Sequence, residues 1–397
     1  MSKTAIINCH IITPERIIFD SAVVIKNDKI IDVDVHADWD KFDGVVIDGR
    51  GRYLSPGFID IHTHGGGGHD FLDGTIEAFI KACELHAQYG TTSLLPTTLA
   101  GDDEELKNTF KVFREAQKVK NNGAQMLGLH LEGPYFAAEY KGAQDEKYLK
   151  NPTPGDYERI FEWSEGSIIR WSAAPELPGS ERFGEFMQRN GIYGSIGHSA
   201  ATYDQVLSAY ENGFQMVTHL YSGMSSITRK RGFRIPGVVE SVYLIEGMMA
   251  ELIADGCHLP PALLKMAYKI KGAENLVLVT DSMRGAGMDQ GESILGSLQN
   301  GQQVFIENGV AYMPDRTAFA GSVCTSNRLV RTMYQQVGVS LCDAVKMITV
   351  TPAKSIGIAD KKGSISLGKD ADLLLFDNDI DISLCMVQGE IIFEKGR

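Results

Sequence analysis

The sequence predicts an α/β fold: a (β/α)8 barrel flanked by a small sheet domain assembled from both chain ends. Eight short apolar runs recur through the middle of the chain, each followed by a stretch with helical spacing. Both ends are instead rich in β-branched residues punctuated by turn signals. At 397 residues the chain is long enough for one large domain and a smaller one.

The elements follow in order. TAIINCHIIT, SAVVIKN and KIIDVDV read as strands, with breaks at Asn27-Asp28 and Asp43-Gly44, so residues 1–54 form the first part of the sheet domain. The barrel, residues 55–360, takes its strands from Gly57–His64, Thr91–Thr97, Met126–Glu132, Ile168–Ala174, Gly191–His198, Gln215–His219, Ala250–Asp255 and Asn275–Asp281. Helical spacing between them covers Ile76–Tyr89, Asp103–Lys118, Tyr157–Glu162, Ser180–Asn190, Ala201–Asn212, Pro236–Glu246 and Pro260–Ile270. A doubly wound sheet is the rival arrangement, but it usually has fewer strands and a phosphate-binding turn after the first. The chain carries no G-x-G-x-x-G or Walker motif, and Gly65–Gly68 lacks that spacing. Gly285–Tyr312 reads as a Gly-rich loop with a small hairpin, and 321–358 as two or three helices closing the barrel. GSISL, ADLLLF, ISLCMVQ and EIIFE return to strands, so residues 361–397 complete the sheet domain.

Composition narrows the function. The net charge of 38 − 51 = −13 has the wrong sign for a phosphate-backbone binder, so nucleic acid is excluded as an expected partner. No run approaches the roughly 20 apolar residues of a membrane span. The N-terminus has no basic segment followed by an apolar core, so no secretory signal is expected. The six cysteines are scattered, without C-x-x-C, which fits reduced thiols in the cytoplasm.

The histidines carry the chemistry. His62 and His64 end the first predicted strand, His130 and Glu132 the third, His198 the fifth, His219 the sixth and Asp281 the eighth, while Asp255 and His258 follow the seventh. A single buried histidine is usually a hydrogen-bonded core residue; six of ten at one end of one sheet are not explained that way. In a strand, residues i and i+2 share a face, so His62 and His64 could point into the barrel and hold one cation. Imidazole and carboxylate donors suit a catalytic zinc or iron site. Glu132 could instead cap a helix, and Asp281 could be a helix N-cap. Beside a metal, Asp281 can take a proton from water and deliver it to a leaving amine.

The motifs P-G-F-I-D-I-H-T-H-G, H-L-E-G-P, G-H-S, T-H-L-Y, I-A-D-G-C-H and V-T-D-S-M occur in that order. With them the chain resembles the amidohydrolase superfamily and, within it, the N-acetylglucosamine-6-phosphate deacetylases. The likeness runs nearly end to end. It implies a TIM barrel with a β-sandwich made from both termini, and a homodimer whose active sites borrow residues across the interface. It implies that Glu132, His198 and His219 hold a principal divalent metal, zinc or iron. His62 and His64 would hold a second, giving one or two ions per subunit. Asp281 would be general base and acid. His258 and Arg234 match positions used for the sugar phosphate, and Arg234 sits in the most basic short stretch, with Arg229, Lys230 and Arg231. The substrate implied is N-acetylglucosamine 6-phosphate, and the products glucosamine 6-phosphate and acetate.

Three positions depart from the family pattern, all on the expected substrate side. Gln144, in K-G-A-Q beside Ala143, stands where the family usually has a histidine that helps polarise the acetyl carbonyl. Ser222 and Gly223 stand where Asn-Ala is usual. A glutamine can donate a hydrogen bond but carries no proton charge, so carbonyl activation would rest more on the metal. These changes leave room for another substrate, such as N-acetylgalactosamine 6-phosphate, another N-acyl amino sugar or an N-acyl amino acid. A non-catalytic metal-binding relative is the alternative of another class.

Overall fold

The computed structural model of the protein describes residues 3–396. Eight parallel strands run in sequence order around a barrel: Phe58–Thr63, Thr91–Thr98, Leu129–Glu132, Ile168–Ala173, Tyr193–Ile196, Phe214–Val217, Met249–Leu252 and Leu276–Leu278. Every predicted barrel strand has its counterpart, whereas GSISL, 363–367, predicted as a strand of the sheet domain, is a loop before Leu373–Phe376. The third barrel strand is interrupted: Gln125–Met126 pairs with the second strand, and pairing with the fourth starts at Leu129. The last strand closes onto the first through the Asp281 N–H, which donates to the His62 carbonyl at 2.8 Å. Asp60 reinforces the seam, accepting from the Thr280 hydroxyl at 2.5 Å and the Thr280 N–H at 3.3 Å.

The helices follow their apolar stripes. Asp103–Ala116 is capped by Asp102, whose side chain accepts from the Glu105 N–H, and it buries Phe110, Val112, Phe113 and Ala116. The segment 321–358 forms the short helices Ser326–Arg331, Leu341–Lys346 and Val350–Ser355, with a π-helical turn after the first. Gly285–Tyr312 holds more structure than its glycines suggested. Gly291–Leu295, Gln302–Glu307 and Val310–Tyr312 form a three-stranded antiparallel sheet over its own core of Met283, Leu295, Val304, Ile306, Ala311 and Ala320. Val304 and Ile306 supply the alternation there.

Both termini build one seven-stranded sheet. Leu373–Phe376 pairs antiparallel with Val45–Pro56, which pairs in parallel with Lys3–Ile12. The sheet folds over itself into a β-sandwich around Ile6, Ile11, Val23, Ile25, Leu373 and Leu384. Main-chain bonds between Ile30 and Lys369, and between Ala371 and Asp28, lock its two halves.

The two ends of the barrel differ in polarity. At the N-terminal end, Leu127, Ile169 and Met249 pack with Met216, Ala353 and Ile356. The C-terminal end carries the acids and histidines, the usual place for chemistry in this fold.

Candidate metal centre and its cavity

Six predicted side chains converge at that polar end. His62, His64, Glu132, His198, His219 and Asp281 are all buried. Glu132 Oε1 lies 3.0 Å from His219 Nε2 and 3.2 Å from His198 Nε2. The same oxygen is 3.7 Å from His62 Nε2, while Glu132 Oε2 is 3.5 Å from His64 Nε2. Asp281 Oδ1 stands 3.4 Å from His62 Nε2 and 3.1 Å from His64 Nε2. Two groups of donors therefore share Glu132: His62, His64 and Glu132 on one side, and Glu132, His198 and His219 on the other. Within each, the donor atoms lie within 4.8 Å of one another.

The backbone makes this convergence possible. His198, His219 and Asp281 each sit just beyond a barrel strand in the left-handed region, with φ of 47°, 29° and 47°. Non-glycine residues adopt that region at a cost and persist there when the surroundings over-determine them. Each turn stops a strand and leaves its side chain at the mouth. Gly223 is needed for the same packing. A Cβ at this position, where φ is 56°, would come 2.8 Å from His198 Nδ1.

The remaining ring nitrogens of His198, His219 and His62 are held from behind, whereas His64 Nδ1 is buried with no hydrogen-bond partner among the described residues. His198 Nδ1 lies 2.8 Å from the Tyr140 carbonyl, and His219 Nδ1 3.1 Å from the Ser222 carbonyl. His62 Nδ1 lies 3.1 Å from Glu251 Oε2, and Glu251 is paired with Arg170. Among the described residues, His62 Nε2 has no hydrogen-bond partner although it is buried. A buried imidazole nitrogen left bare and facing two carboxylates fits a cation ligand.

Electrostatics agree with that donor set. Burial alone would raise the Glu132 carboxyl, but hydrogen bonds from His198 and His219 and the charge of His62 hold it well below the usual range. Burial likewise opposes ionisation of Asp281, and His62 and His64 overcome it. Burial pulls His219 down, but Glu132 pushes it up to about 9. Burial also opposes charge on His62 and His64, and the nearby carboxylates raise both. The cluster thus balances its carboxylates with protons, which a divalent cation can displace.

The cavity above these side chains has a volume of about 210 Å³. Ala143, Gln144, Ser222, Gly223 and His258 all line it. His258 is fixed through Nδ1, 2.8 Å from Asp255 Oδ2, and its ring packs 4.6 Å from Phe319. Arg234 is not among the lining residues. It sits on an exposed hairpin, Thr228–Lys230 with Phe233–Ile235, and its guanidinium donates to the Gly232 carbonyl. Gln144, on the cavity wall, also has a structural contact on each end of its amide. Its carboxamide donates to Glu132 Oε2 at 2.8 Å and accepts from the Ala100 N–H at 2.9 Å, so it holds the shared acid.

His130, predicted beside Glu132 at the end of the third strand, lies within Leu129–Glu132, and its nitrogens are spent on Thr97 Oγ1 at 3.2 Å and Ser172 Oγ at 2.7 Å. Burial and the Arg170 charge keep it neutral, so it is a core histidine. Sequence reasoning missed Glu251 and Arg170. Their one signal was a charged residue inside an apolar run, in A-E-L-I-A-D and I-I-R-W-S-A.

Comparison with known proteins bears on this site. The Amidohydrolase family profile matches residues 53–392. The chain is 32% identical over 389 residues to the N-acetylglucosamine-6-phosphate deacetylase of Bacillus subtilis, covering 96% of this chain and 95% of the relative. It is 30% identical over 341 residues to the N-acetylgalactosamine-6-phosphate deacetylase of Escherichia coli O157:H7, covering 85% and 87%. The crystal structure of N-acetylglucosamine-6-phosphate deacetylase from Pasteurella multocida superposes with a TM-score of 0.89 at 33% identity, over 98% of this chain and 99% of that one. The chain therefore belongs to the amidohydrolase family, within its N-acetylglucosamine-6-phosphate deacetylase branch.

Proposed function

We propose that the protein is a metal-dependent amide hydrolase that removes the acetyl group from N-acetylglucosamine 6-phosphate, releasing glucosamine 6-phosphate and acetate. The observation that carries this reading is the pair of donor groups sharing Glu132, with Asp281 facing both across one cavity. Glu132, His198 and His219 hold the principal ion; His62 and His64, with Glu132, hold a second. Zinc is the expected metal and iron(II) the alternative. A divalent cation there supplies Lewis acidity toward the acetyl carbonyl and eases the formation of a nucleophile from water.

The chain's own residues do the rest. Asp281 Oδ1 takes the proton of the attacking water and passes it to the departing amine nitrogen. Its 3.1 Å distance from His64 Nε2 places the proton carrier beside the second donor group. Gln144 keeps Glu132 in place, and its tether to the Ala100 N–H points its amide hydrogens away from Ala100. His258, oriented by Asp255, meets the sugar phosphate together with Ser222 and Gly223.

Arg234 reaches the phosphate of a neighbouring subunit in this reading, which makes the protein a homodimer with shared active sites. The hairpin that carries it leaves Phe233 76% exposed, with Ile227 61% exposed beside it, an apolar surface suited to a second copy. The domain bounds in this reading are 1–54 and 361–397 for the sandwich, of which Met1, Ser2 and Arg397 lie outside the described residues, and 55–360 for the catalytic barrel. Among the described residues no helix is long and apolar enough to cross a membrane. All six cysteines are unpaired, which supports a reducing, cytoplasmic setting.

A second reading keeps the reaction and changes the sugar to N-acetylgalactosamine 6-phosphate, as in the relative from E. coli O157:H7. The uncommon Ser222 and Gly223 on the cavity wall favour keeping it in view. The deciding experiment is acetate release from both sugar phosphates by purified protein, with zinc or iron(II) supplied and then chelated. Fast, chelator-sensitive release from the glucosamine compound supports the first reading. Preference for the galactosamine compound moves the substrate, and no release from either by folded, metal-loaded protein rejects both.

A further inference from the structure

We infer that Glu251, with Arg170 as its counter-ion, is the positioning residue that makes the His62–His64–Glu132 group a metal site in its own right. The inference rests on the metal-dependent reading above and specifies which buried residues decide the number of ions held.

Glu251 lies on the seventh barrel strand, Met249–Leu252, with its side chain inaccessible to solvent. Its Oε2 faces His62 Nδ1 at 3.1 Å and accepts from the His219 main-chain N–H at 3.0 Å. One oxygen thus touches a residue from each donor group. Oε1 is paired with Arg170, whose guanidinium also donates to Ser195 Oγ at 2.8 Å, Thr218 Oγ1 at 3.3 Å and the Ile61 carbonyl at 3.3 Å. A carboxylate paired in this way is a fixed acceptor and cannot swing away.

The consequence falls on the tautomer of His62. A carboxylate facing Nδ1 requires the proton there, which leaves the Nε2 lone pair aimed at Glu132 and Asp281. Nε2 is the atom with no hydrogen-bond partner among the described residues. His198 and His219 obtain the same tautomer from main-chain carbonyls, Tyr140 and Ser222, so their nitrogens are set without a charged partner. Only His62, among the four histidines of the two groups, has its Nδ1 on an acid; His64 Nδ1 is buried with no hydrogen-bond partner among the described residues. Removing that acid frees the His62 ring to place its proton on Nε2, where it blocks coordination. His198 keeps its support, and His219 loses only a main-chain bond.

Metal stoichiometry tests this without recourse to turnover. Removing Glu251 alone would strand a buried arginine, so both are changed. Apo-protein is titrated with cobalt(II), and ions per subunit and affinities are read from the visible spectrum and elemental analysis. Wild type is expected to take two ions. E251L/R170M, which removes the acceptor, is expected to keep one ion near wild-type affinity and to lose 10- to 100-fold at the other, roughly the effect of removing an outer-shell partner. E251Q/R170M restores a neutral acceptor for His62 and is expected to recover the second ion. E251D keeps the charge pair but withdraws the carboxylate by one methylene, and is expected to weaken the same ion; it decides the matter if the double variants do not fold. Wild type with only one ion overturns the inference, as do folded variants that keep both ions at full affinity or weaken both equally. The deacetylase reading fails separately, if wild type with two ions bound releases no acetate from either sugar phosphate.

Discussion

Asp281 Oδ1 lies 3.1 Å from His64 Nε2, and the two residues meet where the eighth barrel strand closes onto the first. The contact joins the end of one strand to the end of another across 217 residues of sequence. It places the proposed proton carrier against a donor group without making it part of either three-residue set.

Asp281→Asn should therefore lower kcat by about 10²- to 10⁴-fold, the usual contribution of a positioned acid–base group, while leaving metal bound. The amide keeps the shape and loses the proton affinity. Acetate release paired with elemental analysis checks it. Retained activity would remove Asp281 from its role.

Gln144→Leu should weaken both fold and metal affinity. It strips one hydrogen bond from Glu132 and leaves the buried Ala100 N–H without an acceptor. An unsatisfied buried donor costs about 1–3 kcal/mol. Thermal melts of the apo-protein measure that loss, and metal titration measures the effect on Glu132. Unchanged values in both would mean that the contacts of Gln144 are incidental.

His86 gives the protein an acid sensitivity that can be isolated. Its Nε2 lies 2.9 Å from the Gly65 carbonyl, and burial lowers its pKa from 6.5. Below pH 6.5 the unfolded chain binds this proton and the folded chain resists it. The contribution is complete above pH 6.5 and is lost as pH falls toward and through the folded value. Denaturant melts at about pH 5 and about pH 7.5 should differ less in His86→Gln than in wild type. An equal or larger difference would sink the assignment.

The cysteines should separate by reactivity. Burial pushes the Cys9 and Cys83 thiols up to about 12, whereas Cys257 is exposed. Thiolate is the reactive form, so iodoacetamide near neutral pH should modify Cys257 well before Cys9 and Cys83. Peptide mapping reads the order, and early labelling of Cys83 would contradict the packing.

In the proposed homodimer, Phe233→Asp should shift sedimentation from dimer to monomer and raise KM for the phosphorylated sugar. The proposed phosphate contact from Arg234 comes from the neighbouring subunit's hairpin. A monomer with unchanged KM would dismiss that sharing.

Much of this molecule was legible in its sequence because the relevant signals are local. A strand alternates with period two, so H-x-H after an apolar run puts two imidazoles on one face. A barrel gathers the ends of its strands, so residues that end apolar runs become neighbours without any knowledge of distances. That logic located His62, His64, Glu132, His198, His219 and Asp281. It also swept in His130, whose nitrogens are spent on Thr97 and Ser172. A strand position alone does not reveal what a ring will bond to. The glycines of 285–312 concealed a three-stranded sheet, because turn residues mark breaks and say nothing of the pairing between them.

The sequence by itself determined the barrel, the sheet domain from both ends and the ring of donors, since each follows from periodicity along the chain. Only the tertiary structure decided that Glu251 backs His62 across 189 residues of sequence. It also decided that Gln144 serves Glu132 and that Arg234 stands outside the cavity lining. The reason is physical. A buried charge is stable only beside its partner, and the partner is chosen by how strands close in space.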